Sequence, residues 1–306
     1  MYDQKLNAEL IHSFQGHKAS IFSIAESVDQ SRFFSGDGNG YLVEWDFKNP
    51  DNGIAIAQLP SNIFSIKYIA DKQMIAVGTL SGTLFFLDYV SRKLIKSVEH
   101  HRDGIFHIWR SDDLLYVCGG DGQLSLWDLN DLSICQSIQV SDKSLRSLDF
   151  SLEREQIAIG SSDHDIHLYS FRDLKKVSVL SGHENSVFCV HYNPEGDRLY
   201  SGSRDAQIKI WDTVATEQIH SLPAHMSTVN SLAMHPSLPL LASASRDKTI
   251  KIWDTDRDKL LKVISAEKQT AHKHSVNKLL WSGYENILIS AGDDRGLLAW
   301  RIERTA

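Results

Sequence analysis

This sequence predicts an all-β fold, a seven-bladed β-propeller built from four-stranded antiparallel blades, and three observations lead there. The stretch LYSGSRDAQIKIWD, Leu199 to Asp212, reads as two short strands around a polar turn, because alternating apolar residues flank Ser203-Arg204-Asp205. It recurs 42 positions later as LASASRDKTIKIWD, and weaker copies end at Trp45, Leu87, Trp127, Tyr169 and Trp300. The apolar residues that open each unit, Ile21, Ile63, Ile105, Leu145, Val187, Val229 and Val276, are spaced by 42, 42, 40, 42, 42 and 47. A period near forty with four strand-sized segments per unit is the pattern of propeller blades.

Taken in order, residues 9–14 read as the outermost strand of a blade whose other strands lie elsewhere. Residues 276–302 supply only three strands, so the N-terminal strand is expected to complete the seventh blade and remove an open edge. Blade one keeps Trp45-Asp46 but has Asn39 where other turns carry Asp. Blade two is the most degenerate, with Leu59, Ser81 and Leu87 at the positions held elsewhere by His, Asp and Trp. Blade three carries His101, Asp121 and Trp127; blade four keeps Asp163 but shows Ser141 and Tyr169. Blades five to seven are complete: His183, Ser201, Asp205 and Trp211 correspond to His225, Ser243, Asp247 and Trp253, and to His272, Ser290, Asp294 and Trp300.

Gly16-His17, Gly182-His183, Ala224-His225 and Ala271-His272 each stand four residues before a strand anchor, and Trp-Asp closes units one, three, five and six. In this the chain resembles the WD-repeat family of seven-bladed propellers across essentially its whole length, which implies one domain over residues 1–306. The resemblance is specific for fold and nearly silent on function, since members share architecture and differ in partner. A His, a Ser and an Asp seen once would invite a nucleophilic-catalysis reading. Three sets at identical spacing in three blades do not converge on one pocket. They are read as structural networks, the role these residues play in the family, in which carboxylate, imidazole, hydroxyl and indole satisfy one another. Blades five to seven are expected to be stiffer than blades two and four.

Composition narrows the function classes. A hydrophobic fraction of 42% is ample for a core, and no apolar run approaches the ~20 residues of a membrane helix. The start MYDQKLNAEL has neither the basic nor the apolar character of a secretory leader, and three cysteines, Cys118, Cys135 and Cys189, fit buried reduced thiols. A soluble, cytoplasmic protein is expected, the nucleus being a further intracellular place for it in a eukaryote. A net charge of -7 argues against non-specific nucleic-acid binding. The closely spaced histidines (His100, His101 and His107; His164 and His167; His272 and His274) lack a completing Cys or carboxylate cluster, so no metal is expected. The GDGNG of Gly36 to Gly40 is a hairpin turn rather than a dinucleotide loop, and no cofactor is expected.

The residues after the strand anchors are Phe22, Phe64, Phe106, Arg146, Phe188, Asn230 and Asn277. They begin the innermost strands and should approach the upper mouth of the central channel. Four aromatics there either pack between blades or line a socket for a basic or apolar peptide side chain, held by stacking and cation–π contact. Some WD-repeat members use an aromatic pair at this position to clamp an inserted Arg. By the same resemblance Arg204 and Arg246, before the turn acids of adjacent blades, lie on the upper face, where together they could recognise a carboxylate or phosphate. Extra residues around 265–270 enlarge a neighbouring loop. The reading is a non-catalytic scaffold or adaptor for a protein or peptide, monomeric within a complex. A regulatory non-catalytic subunit is the alternative, and an enzyme with a channel site is disfavoured because the channel positions are mainly Phe and amide.

Overall fold

Period-two alternation lets each strand bury one residue set against the next blade, and the turns between strands are short enough to keep neighbours paired. The computed structural model describes residues 6–268 and 270–304, so residues 1–5, residue 269 of the expected loop and residues 305–306 lie outside the description. Within them the chain forms seven four-stranded antiparallel sheets. Blade one runs outward from the channel as Ile21–Glu26, Arg32–Asp37, Tyr41–Asp46 and Ile54–Gln58. The seventh joins Val276–Trp281, Leu288–Gly292 and Leu297–Arg304 to the N-terminal strand Leu6–Phe14. That strand starts earlier than the apolar pattern indicated, because Leu6 and Ala8 are buried and the ladder runs from Leu6 opposite Arg304 to Phe14 opposite Leu297. Phe14 then packs edge-on against Phe33 of blade one, at 5.0 Å, so the closing strand also seals the adjoining blade.

The upper face carries the turns between second and third strands together with the loops that enter each inner strand. His–Asp pairs tie these two loops together. Expected networks stand in blades five, six and seven: His183 Nδ1 lies 2.7 Å from Asp205 and Nε2 2.7 Å from Ser201 Oγ, which accepts the Trp211 indole N–H at 2.8 Å. The same contacts join His225, Asp247, Ser243 and Trp253, and His272, Asp294, Ser290 and Trp300.

Three blades that look incomplete by motif depart from expectation. In blade one Asp37, not Asn39, meets His17 at 2.8 Å, while Ser35 links His17 and Trp45. In blade three the hydroxyl comes from Ser125, which lies directly across the ladder from Val117, and it joins His101 to Trp127. Blade four exchanges the roles: Ser141 donates to Asp163 from the loop, and the imidazole is His167 on the strand, 2.8 Å away. Only blade two has no buried His–carboxylate pair among the described residues; Thr79, Ser81 and Thr83 form a hydroxyl chain instead. The expected contrast in stiffness therefore has its structural basis in blade two and not in blade four.

The residue after each turn acid position has a left-handed backbone in every blade, at Gly40, Gly82, Gly122, His164, Ala206, Lys248 and Arg295. At Gly122 a Cβ would stand 1.9 Å from the Ser141 carbonyl oxygen, a backbone atom that cannot swing away. Gly122→Ala is expected to cost about 1 to 2 kcal/mol, whereas Ala206→Gly, at a copy of the same turn that already accommodates a Cβ, should change stability by less than about 1. Urea unfolding of the two variants measures this, and equal losses would show that the approach of blade four's loop is not the cause.

Candidate functional site

All seven inner strands carry a register shift at their second residue, from Ile21/Ser23 to Val276/Lys278. A bulge leaves one residue unpaired and re-aims its side chain. The unpaired residues are Phe22, Phe64, Phe106, Arg146, Phe188, Asn230 and Asn277, and together with Lys278 they line a cavity of about 160 Å³ at the channel mouth. All seven are half-buried, so they belong to the mouth and not to the interblade core. Phe22 stacks on Phe64 at 4.7 Å, and Phe64 meets Phe106 edge-on at 5.5 Å. Across the mouth, Asn230 donates to the Val276 carbonyl and Asn277 to the Ile21 carbonyl, fastening blade six to seven and seven to one.

The aromatic socket already holds a cation of this chain. Arg146 Cζ lies 4.3 Å from the centre of Phe106 and 5.3 Å from Phe188, with Nε donating to Ser162 Oγ at 2.8 Å. Burial lowers its pKa. No carboxylate among the described residues pairs with it, so the Arg146 guanidinium presents unused donors framed by aromatic walls. An incoming basic side chain would meet this like charge; an acidic one would be attracted.

Arg204 and Arg246 are exposed, each held at the backbone by the loop entering its inner strand, through Ser186 and Thr228 respectively. Neither guanidinium is engaged by another described residue. Beside Arg246, Met226 is 91% exposed while its N–H donates to Asp247. Sequence reasoning missed Met226 as a surface contact; its place between the network His225 and the anchor Val229 is the signal that puts it on the upper face. Of the cysteines, Cys118 and Cys189 are buried, but Cys135 is exposed because it lies on the outermost strand of blade three, Ser133–Gln139.

The profile of the family described as WD domain, G-beta repeat matches residues 8–46, 92–128, 174–212, 216–254 and 264–301, more than half of the chain. The chain belongs to that family. The WD-repeat profile passes over blades two and four, the blade without a His–Asp pair and the blade with exchanged roles. Among curated proteins, "Putative serine/threonine-protein kinase VPS15" of Komagataella pastoris is 26% identical over 183 residues, 52% of this chain and 14% of that protein. WD repeat-containing protein ATCSA-1 of Arabidopsis thaliana is 28% identical over 121 residues, 37% of this chain and 27% of that one. The chain thus matches well under a third of the length of each. Among solved structures, the WD40 β-propeller domain of Doa1 superposes with a TM-score of 0.84 at 18% identity, covering 96% of this chain and 97% of that one, a likeness of fold.

Below its mouth, the WD-repeat channel differs from the Phe-and-amide lining expected of it. A chamber of about 630 Å³ is lined by third and fifth residues of the inner strands, among them Lys67, His107, Asp149, His191 and Lys278. His107 Nδ1 accepts the Leu148 N–H at 2.8 Å, and burial pushes its pKa down to about 3. Asp149 lies 3.0 Å from His191 Nδ1; burial opposes charge on both, but the pairing prevails, raising the imidazole and lowering the carboxyl. Residues 40 or more apart each contribute one of these groups, so no local motif announces them.

Proposed function

We propose that this WD-repeat propeller is a non-catalytic platform that binds a protein or peptide on its upper face, over the mouth formed by Phe22, Phe64, Phe106, Arg146 and Phe188 and flanked by Arg204 and Arg246. The observation that carries the reading is Arg146, a cation without a carboxylate, seated between two aromatic rings at the one ring position the bulges turn toward the mouth. Aromatic and Arg side chains in a rigid concavity are the groups that dominate interface hot spots. The partner segment that fits is acidic with an apolar or aromatic neighbour, so that a carboxylate reaches the arginines and the apolar group meets the Phe arc and Met226. A catalytic reading is disfavoured because Ser201, Ser243 and Ser290 are fully buried, each bonded to a His and a Trp, and offer no nucleophile to a substrate. Action as a regulatory subunit of a larger complex is compatible with the same face.

The test is affinity measured against a partner first captured with the purified chain and then prepared separately. Phe64→Ala and Arg246→Ala should each weaken binding by about 2 kcal/mol, near thirtyfold, without unfolding. Lys48→Ala, on the exposed lower turn of blade one, should leave it unchanged. It is a cleaner control than Lys72, whose ammonium bonds Asn130 and Asp113 of blade three. Wild-type affinity in both upper-face variants, with loss in the lower-face one, places the interface on the other side of the ring.

A further inference from the structure

We propose that the lower chamber of the channel is a binding site for a small multivalent oxyanion, a phosphorylated small molecule, held by Lys67, Lys278, His107 and Ser147. The site is independent of the upper-face reading above.

The argument starts from what the chamber leaves unsatisfied. Lys278 follows the bulge of the seventh inner strand and lines both the mouth cavity and the chamber beneath, so its stem crosses the boundary between them. No hydrogen bond or ion pair engages its ammonium, or that of Lys67, among the described residues; burial depresses both, and Lys67 has only the Glu26 carboxylate in range to offset this. An enclosed charge without a partner is unfavourable, and a chain does not gain stability by holding two of them in one lumen. A ligand that arrives with the opposite charge removes that cost.

The remaining polar groups select the ligand's chemistry. His107 Nδ1 is committed as acceptor to the Leu148 N–H, so the neutral ring carries its proton on Nε2, a donor with no acceptor among the described residues. Ser147 Oγ, on the next blade, is buried without a partner. Two carboxylates line the chamber, Glu26 and Asp149; Asp149 lies 3.0 Å from His191 Nδ1 and accepts the Tyr192 N–H at 2.8 Å. Glu26 is exposed at the lower rim, and Arg110 near Lys67 is taken up by Asp71. The chamber therefore offers two ammoniums, an imidazole N–H and a hydroxyl, and its one unengaged carboxylate among the described residues, Glu26, lies out at the exposed rim. That set suits a group with many acceptor oxygens and at least two negative charges, which a phosphate ester or pyrophosphate has and a single carboxylate lacks. About 630 Å³ admits a small molecule and is too narrow for a folded segment. Low-dielectric walls around a cationic lumen focus the field even in a chain of net charge -7.

Calorimetric titration of the full chain with sodium pyrophosphate at low ionic strength tests this, with the melting temperature as second readout. The wild type should bind pyrophosphate and melt higher with it. Lys278→Met and Lys67→Met should each weaken binding at least about tenfold, the loss of one charge-assisted contact, while Lys278→Arg retains it. Without ligand, Lys278→Met should melt at or above the wild-type temperature because an unpaired, half-buried charge is gone, so loss of binding cannot be put down to unfolding. Lys48→Met serves as the surface control. Equal affinity in the wild type and both channel variants, no binding at millimolar pyrophosphate, or citrate binding as tightly as pyrophosphate would each overturn the proposal.

Discussion

Asp37→Ala should destabilise the protein as strongly as Asp247→Ala, by about 3 kcal/mol, although only Asp247 stands at the repeat's turn position. Removing Asp247 strands the His225 ring, the Met226 N–H, the Thr249 N–H and the Thr249 hydroxyl, donors 2.6 to 3.0 Å from its carboxylate. Removing Asp37, which is fully buried, strands the His17 ring and the N–H groups of Asn39 and Tyr41, all within 2.9 Å. Each buried donor left unmade costs about 1 to 3 kcal/mol, and several at once exceed what loop relaxation recovers. By contrast Asn39→Ala should cost less than about 1 kcal/mol, and Ser81→Ala, exposed in the blade without a buried acid, should be nearly neutral. Urea midpoints of the four variants decide it: Asn39→Ala costing as much as Asp37→Ala would mean that the repeat position, and not the contact, carries the stability.

Acid should destabilise the fold well before the carboxylates titrate, with roughly 1 to 2 kcal/mol lost between pH 7 and pH 5 through His107 alone. Burial lowers the pKa of His107 to about 3 and also lowers His101, His225 and His235. The unfolded chain takes up these protons near the ordinary value of about 6.5 while the folded chain refuses them. For such groups stability is present above that pH and declines as pH falls through the window down to the folded pKa. At about 1.4 kcal/mol per pH unit for one group, His107 contributes roughly 1 to 2 by pH 5, the lower figure allowing for water in the channel. His191 works in the opposite sense, since its raised pKa contributes stability below about 6.5 that is lost as pH rises, and it offsets one of the four. A second decline sets in below about pH 4, where the unfolded chain protonates Asp205 while in the folded chain its carboxyl, which burial would raise but the His183 hydrogen bond holds at about 2, stays ionised. Melting temperatures from pH 7.5 to 5 should fall steeply in the wild type and less steeply in His107→Gln, whose amide can still accept the Leu148 N–H. A flat profile, or identical slopes in the two proteins, would contradict the assignment of His107 as a half-buried neutral ring.

The number of blades, four strands per blade, closure by the N-terminal strand and the ring of residues that faces the mouth were all legible in the chain. Each depends on a pattern repeated with a constant step, the apolar alternation and the anchor spacing, and repetition lets a weak copy be read through its stronger neighbours. The complete His–Asp–Ser–Trp sets were legible for the same reason. Cys135 was misjudged because a strand assignment does not say which strand is outermost, and only the outer one is open to solvent on its edge.

What the sequence determined alone is therefore the architecture, because backbone pairing and period-two burial are local and every blade repeats them. What the tertiary structure decided is how each site is completed. Asp37, Ser125 and His167 fill network roles from positions shifted along or across the ladder, since a buried donor requires an acceptor in its volume and is indifferent to which residue number supplies it. The bulge shared by all seven inner strands turns Arg146 between Phe106 and Phe188, an encounter of three separate blades. Lys67, His107 and Lys278 likewise share one chamber because closing the toroid brings the inner strands of distant repeats around a common axis, and that proximity exists only once the ring has closed.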